Sequence, residues 1–144
     1  MGLALTSLYI DPTVRKGPST EGVFVATDLE LPGSGVPAVQ EYEAEVRRAF
    51  GGRAQLNYIG VQGWLGAKVF VDALRRTGGT LTREGLIAAL ERTDGRSGFG
   101  FAAPMVFGPY ANDTRDINRC LKITKVVQGK AVRVTDWRCD QQPF

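Results

Sequence analysis

The residues in this chain best suited to covalent or metal chemistry are its two cysteines, Cys120 and Cys139. Their thiols could bind a metal, exchange electrons or join as a structural disulfide. The sequence contains no histidine, so two cysteines could complete a four-ligand zinc site only with carboxylates or a second chain. They form no C-x-x-C motif, the spacing typical of redox enzymes. The residue types therefore favour a structural disulfide, with two unpaired thiols as the alternative.

The element that would hold the two thiols together is a predicted β-hairpin near the end of the chain. Alternation of apolar and polar residues in both arms indicates strands with one dry and one wet face. The apolar set is Leu121, Ile123, Val132 and Val134, and the polar set is Lys122, Thr124, Arg133 and Thr135. We expect the apolar set to pack and the polar set to face water.

The turn of this hairpin decides how the cysteines face each other. A type II′ turn at residues 129–130 places Cys120 directly opposite Cys139. A turn at residues 128–129 instead places Cys139 opposite Asn118. Both registers bring the thiols near each other, so a disulfide is compatible with either turn.

Composition describes an ordinary globular chain and excludes several functions. The 144 residues carry 18 basic and 15 acidic side chains, a net charge of +3 and 43% hydrophobic residues, which predicts one compact unit. The charges are interspersed, so we expect no nucleic-acid partner. Without histidine there is no Ser-His or Cys-His nucleophile, and we expect no metal and no cofactor. The first residues lack the basic region of a signal peptide, and no apolar run approaches the ~20 residues of a membrane span.

Local patterns predict a short buried strand, three helices and a second short strand before the hairpin. Breaker residues at 31–37 should form a loop after the first strand, and Pro37 should open a helix. The helix at 57–79 is apolar over most of its circumference, so we expect it to be largely buried. Thr82 is the expected N-cap of the third helix. The predicted elements are a strand at 23–26, helices at 37–50, 57–79 and 80–95 with inner residues Leu86, Ile87 and Leu90, and a strand at 105–107.

Five of these segments, in this order, resemble a known family over roughly residues 20–135. They are "EGVFVAT" (21–27), "PAVQEYEAEVRRAFG" (37–51), "GWLGAKVFVDALRRTGG" (63–79), "LTREGLIAALE" (81–91) and "VVQGKAVRV" (126–134). The chain resembles the C-terminal part of type I periplasmic binding proteins, most of all the branched-chain amino-acid family of ABC-transporter substrate-binding proteins. Trp64 stands where a tyrosine is usual in that family.

The resemblance implies an α/β fold: a partial type I periplasmic-binding-protein fold with αβα layers, an incomplete sheet and a C-terminal β-hairpin. Residues 1–32 would be the remnant of ligand-binding lobe two, 33–117 the returning part of lobe one, and 118–144 the hairpin crossing back toward lobe two. Family members are more than twice this length, and the missing front end is where a signal peptide would lie. The implied location is periplasmic or cell-surface, with membrane contact only through a missing anchor or the permease.

The resemblance also implies a function without covalent chemistry. The partners would be a small polar, amino-acid-like ligand and an ABC permease. Family position puts one group of ligand contacts at a cleft-facing strand end and loop near the start of the chain, and another at the start of the buried helix. Those candidates are Thr6, Ser7 and Tyr9 in the loop, and Tyr58, Ile59 and Gln62 on the helix. An acid for the ligand ammonium would fall near Leu5 or Thr6, and neither is acidic.

Two other functions remain as alternatives. An extracytoplasmic sensor domain of the same fold would bind ligand without transport. A small enzyme would use carboxylates such as Glu21, Asp28 and Asp72 as acid and base. That enzyme requires two of these carboxylates to converge in one pocket.

Overall fold

The computed structural model describes residues 3–4 as backbone and residues 20–79, 81–92, 98–108 and 119–139 in full. The elements in chain order are β1 (Leu3–Ala4), β2 (Phe24–Thr27), α1 (Pro37–Phe50), a 3-10 turn (Gly51–Arg53), α2 (Tyr58–Arg76), α3 (Arg83–Glu91), β3 (Cys120–Val127), β4 (Lys130–Arg133) and β5 (Arg138–Cys139). Within these ranges, no helix is both long and apolar enough to cross a bilayer.

The strands form one mixed, open sheet in the order β1-β2-β3-β4, with β5 paired to the start of β3. β1 runs parallel to β2, and β3 is antiparallel to both β2 and β4. All three helices lie in the sequence between β2 and β3, although these two strands are direct neighbours. The predicted α/β fold with an incomplete sheet is confirmed.

Helix α1 begins and ends where local chemistry predicts. Pro37 occupies its first turn, where the missing N–H costs no hydrogen bond and the fixed φ suits a helix. Tyr42 is almost fully buried in the core, while Glu43 and Arg47 pair at 3.2 Å on the outer side. Gly51 ends the helix with a φ of 56°, a conformation that glycine adopts without steric cost.

Helices α2 and α3 are less buried than the sequence suggests. Phe70 and Val71 on α2 are exposed, so the predicted burial around most of its circumference is wrong. On α3 the Thr82 side chain caps the first turn by accepting a 3.0 Å bond from the Gly85 amide, as predicted. Ile87 is exposed and Ala89 takes the buried position, so the predicted inner stripe is wrong at Ile87.

The hairpin turn lies at residues 128–129, because Gln128 and Gly129 both have positive φ, 50° and 72°. Two positive φ values are the mark of a type I′ turn. The predicted turn at 129–130 is therefore wrong, and the other of the two registers is correct near the turn, where Val127 pairs with Lys130.

The cysteines nevertheless face each other, because the register changes along the second arm. Thr124 pairs with Arg133 and Cys120 with Cys139, so the second arm holds two more residues between these pairs than the first. At this bulge the amides of residues 134 and 135 both donate to the Ile123 carbonyl, at 2.8 and 3.2 Å. The expected pairing of Cys139 with Asn118 is wrong, and a disulfide joins Cys120 to Cys139.

Along β3 the two faces of the hairpin are the reverse of those predicted, whereas Arg133 on β4 is exposed as predicted. The inner face, made by Lys122, Thr124, Ala131 and Arg133, turns toward residues 30–37, and Lys122 and Thr124 are buried there. The outer face, made by Leu121, Ile123, Val132 and Val134, is largely open, with Leu121 53% and Val134 51% exposed. The inversion is possible because the buried lysine has a buried acid as its partner.

The predicted strand at residues 105–107 is also wrong. The segment is irregular, and it follows Pro104, which has no N–H to give to a strand ladder. Met105 is buried and Phe107 packs against the core, whereas Val106 is exposed. Three apolar residues do not distinguish a strand from a buried irregular segment.

Candidate functional site

The end of β2 and the start of α2 meet at one edge of the sheet. The Tyr58 hydroxyl donates a 2.7 Å hydrogen bond to Oδ1 of Asp28, which directly follows β2. Tyr58 is buried, and Asn57 caps the helix by accepting a 2.8 Å bond from the Gly60 amide. Together these contacts fix the first turn of α2 relative to the sheet.

The sequence-predicted contacts on α2 have different environments. Tyr58 points into the structure and toward Asp28, whereas Ile59 is 57% exposed and Gln62 is exposed beside it. An exposed isoleucine and glutamine next to a buried tyrosine give this end of α2 a mixed apolar and polar surface. Thr6, Ser7 and Tyr9 lie outside the described residues.

A cluster of aromatic rings packs near the start of α2. The Tyr42 ring makes edge contacts with Trp64 at 5.6 Å and with Phe101 at 6.5 Å between centroids. A Cβ added at Gly60 would overlap the Tyr42 hydroxyl, so α2 approaches α1 closely there. Burial, and secondarily the charge of Glu43, raises the pKa of Tyr42, which keeps the phenol protonated. Trp64 is part of this packing.

A second polar cluster, which the sequence did not predict, lies on the inner face of the hairpin. Lys122 and Glu30 form an ion pair with side chains only 2% and 8% exposed. The Lys122 ammonium also lies 4.8 Å from the centre of the Trp137 ring, a cation–π distance. Burial lowers the pKa of Lys122, Glu30 opposes the shift, and Arg133 adds to it. The sequence signal was weak: Glu30 stands between Leu29 and Leu31, an unusual place for a solvated acid.

The carboxylates suggested for an enzyme each have a separate partner. Glu21 accepts a 2.8 Å bond from the Gln128 amide at the hairpin turn, and Asp72 pairs with Arg76 at 2.9 Å along α2. Asp28 accepts from Tyr58. The described residues also contain no group of three cysteine or acidic side chains that could hold a metal. These three carboxylates therefore contact three different residues.

Comparison with known proteins identifies relatives of this architecture. A family model described as periplasmic binding protein matches residues 1–131. No curated protein matches the chain. Among solved structures, a branched-chain amino-acid ABC transporter protein from Thermus thermophilus with bound valine gives a TM-score of 0.71 at 22% identity, covering 91% of this chain and 37% of that one.

Two further structures extend the comparison. A fatty-acid ABC transporter substrate-binding protein from Thermomonospora curvata gives a TM-score of 0.67 at 26% identity, covering 96% of this chain and 36% of that one. A leucine-binding protein from Thermotoga maritima gives 0.57 at 17% identity, covering 96% and 37%. The chain thus spans little more than a third of the length of these three structures.

Proposed function

Because the chain belongs to the periplasmic binding protein family, we propose that it forms the C-terminal part of an extracytoplasmic substrate-binding protein. That protein would deliver a small polar, amino-acid-like ligand to an ABC permease. The observation that carries the proposal is the family match over residues 1–131, together with the TM-score of 0.71 to a protein with bound valine. Its mechanism is closure of two lobes about a hinge, with no covalent step.

The path of the chain supports the proposed division into lobes. Residues 1–32 and 118–144 supply strands of one sheet, with Thr27 paired to Lys122. The intervening segment, 33–117, contains helices α1, α2 and α3. A chain that leaves a sheet and returns to pair beside its own departure point is suited to cross a hinge twice. We assign the sheet to lobe two and the helices to lobe one.

Strand direction supports one shared edge for the ligand contacts. β1 and β2 are parallel, with Ala4 opposite Val25, so their carboxyl ends lie at the same edge of the sheet. Asp28 follows β2 at that edge, and Tyr58 reaches it from α2. Thr6, Ser7 and Tyr9 follow β1, which supports them as the other contacts, with Ile59 and Gln62 beside Tyr58.

Asp28 gives this edge the charge that an amino-acid ligand requires. An α-ammonium group needs an acid close to it, and neither Leu5 nor Thr6 is acidic. The Asp28 carboxylate is half-buried and held in place by Tyr58. It would attract an ammonium and repel the carboxylate of a fatty acid, so we favour an amino acid over the ligand class named for the Thermomonospora relative.

The open outer face is consistent with a protein that continues beyond this chain. About half of each of three apolar side chains is exposed: Leu121 and Val134 on the outer face, and Phe70 on α2. Exposed apolar groups of this size on the sheet face and on α2 mark surfaces that another segment or chain covers. We propose that the remaining part of the binding protein packs there.

The test is a thermal-shift screen on the protein from the whole reading frame, with valine, leucine, octanoate and glucose as candidate ligands. We expect valine or leucine to raise the Tm and Asp28→Asn to weaken that binding about tenfold, because a charged hydrogen bond is worth at least that factor. Ile59→Ala should weaken binding, while Ile87→Ala, an exposed isoleucine on α3, should not.

Two results would contradict the proposal. Stabilisation by octanoate alone would overturn the amino-acid assignment and favour a fatty-acid ligand. Equal affinity in wild type and Asp28→Asn would remove Asp28 from the site.

A further inference from the structure

A cavity of about 310 Å³ lies on the inner face of the hairpin, at the β3–β4 side of the sheet. Its floor is Lys122, Thr124 and Arg133, and its roof is the segment from Glu30 to Pro37. Neither Asp28 nor Tyr58 lines the cavity, although Lys122 on its floor pairs with Thr27, the residue before Asp28. Its volume is at the lower end of the range of small-molecule pockets.

The charges around this cavity do not balance. Among the described residues, Lys122 and Arg133 line it together with one acid, Glu30, and Lys122 already takes that acid as its ion-pair partner. Among the described residues, the ion-pair partner of Arg133 is Asp136, which is highly exposed and lies 3.0 Å away. The charge of Arg133 is close enough to contribute to the lowered pKa of Lys122. An anion in the cavity would relieve this repulsion between two cations.

The roof of the cavity adds uncharged hydrogen-bond donors. The hydroxyl of Ser34 is buried and has no hydrogen-bond partner in the described part of the chain. Helix α1 begins at the cavity after Val36, which provides no side-chain cap, and its first turn contains no acidic residue. Pro37 at the first helical position has no N–H, so the first donors of α1 are the amides of Ala38 and Val39, which an anion can satisfy. Buried donors without acceptors are uncommon in native structures.

From these three independent features we propose that the cavity is a binding site for a small oxyanion, a carboxylate or a phosphate. The anion would lie between the Arg133 guanidinium, the Ser34 hydroxyl and the first amides of α1. The Lys122–Glu30 pair would form the back wall and would remain intact. This site is separate from the proposed transport ligand and does not depend on which ligand is transported.

The test is a ¹H–¹⁵N NMR titration of the full chain with sodium phosphate and, in a second arm, sodium acetate. Sodium chloride keeps the ionic strength constant. We expect saturable shifts of the Gly35, Ala38 and Val39 amides. Saturation by phosphate alone, by acetate alone or by both would support the site and identify the oxyanion it prefers.

Variants distinguish this site from general salt effects. Arg133→Gln should weaken binding about tenfold, because it removes a charged donor, and Ser34→Ala should weaken it by a smaller factor. Asp136→Asn breaks the same surface ion pair but keeps the guanidinium, so it should not weaken binding. Circular dichroism checks the fold, and Ser34→Ala decides the result if Arg133→Gln unfolds.

The proposal is wrong if the shifts do not saturate, or if chloride alone reproduces them. It is equally wrong if the folded Arg133→Gln variant binds as wild type does, or if Ser34→Ala has no effect where Arg133→Gln cannot be used.

Discussion

Replacing Lys122 by methionine should destabilise the protein strongly. Lys122 and Glu30 have side chains only 2% and 8% exposed, so removing the ammonium leaves a carboxylate with little water to solvate it. Breaking a buried ion pair on one side typically costs about 3–5 kcal/mol. The cation–π contact with Trp137 is lost as well.

A matched control separates burial from simple loss of charge. Lys68 pairs with Glu41 at 2.9 Å, but their side chains are 30% and 57% exposed. Exposed pairs contribute about 0–1 kcal/mol, so Lys68→Met should have little effect. The double substitution Glu30→Gln with Lys122→Met removes both charges and should recover most of the loss, since replacing both partners of a buried pair is often nearly neutral.

The assay is urea unfolding followed by circular dichroism, with the free energy of unfolding taken from linear extrapolation. The expected order of stability is wild type, Lys68→Met and the double variant close together, with Lys122→Met well below them. The reasoning would be refuted if Lys122→Met cost no more than Lys68→Met, or if the double variant were as unstable as the single one.

Three further predictions concern packing, the disulfide and pH. Gly60→Ala should destabilise by about 1–3 kcal/mol, because its Cβ would meet a buried tyrosine hydroxyl, whereas Gly63→Ala, which meets nothing, should be neutral or stabilising in the same urea assay. Intact mass spectrometry should find the Cys120–Cys139 protein two hydrogens lighter than its reduced form. Reduction should lower the free energy of unfolding by about 3 kcal/mol. Alkylation of both thiols without reductant would contradict the disulfide. Folding lowers the pKa of Lys122 from its ordinary value of 10.5, so the unfolded state binds this proton more tightly than the folded state does. The free energy of unfolding, measured relative to Lys122→Met, should therefore rise as pH increases toward 10.5. A fall in this difference over the alkaline range would contradict the prediction.

The helices could be predicted because their signals are local. Pro37 begins α1, and the Thr82 hydroxyl caps α3 by accepting a hydrogen bond from the amide three residues later. Each signal acts within one helical turn, so distant parts of the chain do not alter it. The strand at 105–107 had no such signal beyond three apolar residues, and its prediction failed.

The alternation of apolar and polar residues in the hairpin does not determine which of its faces is buried. A period of two divides residues into two faces but does not say which face is buried. Here the buried face contains Lys122, because Glu30, far away in sequence, lies beside it in the fold. The disulfide was correctly favoured, but its geometry depends on a bulge after Arg133 that no turn rule predicts.

The candidate sites, like the hairpin, depend on contacts between segments that are distant in sequence. The resemblance identified Tyr58 as a residue to examine, and the structure adds its hydrogen bond to Asp28. That bond joins the end of a strand to the start of a helix, so it depends on tertiary packing. The oxyanion cavity has no sequence signal, because its donors come from a loop, a helix start and a distant strand.

The most direct test of the account is small-angle X-ray scattering on the protein from the whole reading frame, with and without a saturating amino acid that binds it. We predict that the radius of gyration falls on saturation, because the two lobes close on the ligand. A ligand that binds and leaves the radius of gyration unchanged would contradict a closing clamshell and the transport function proposed from it.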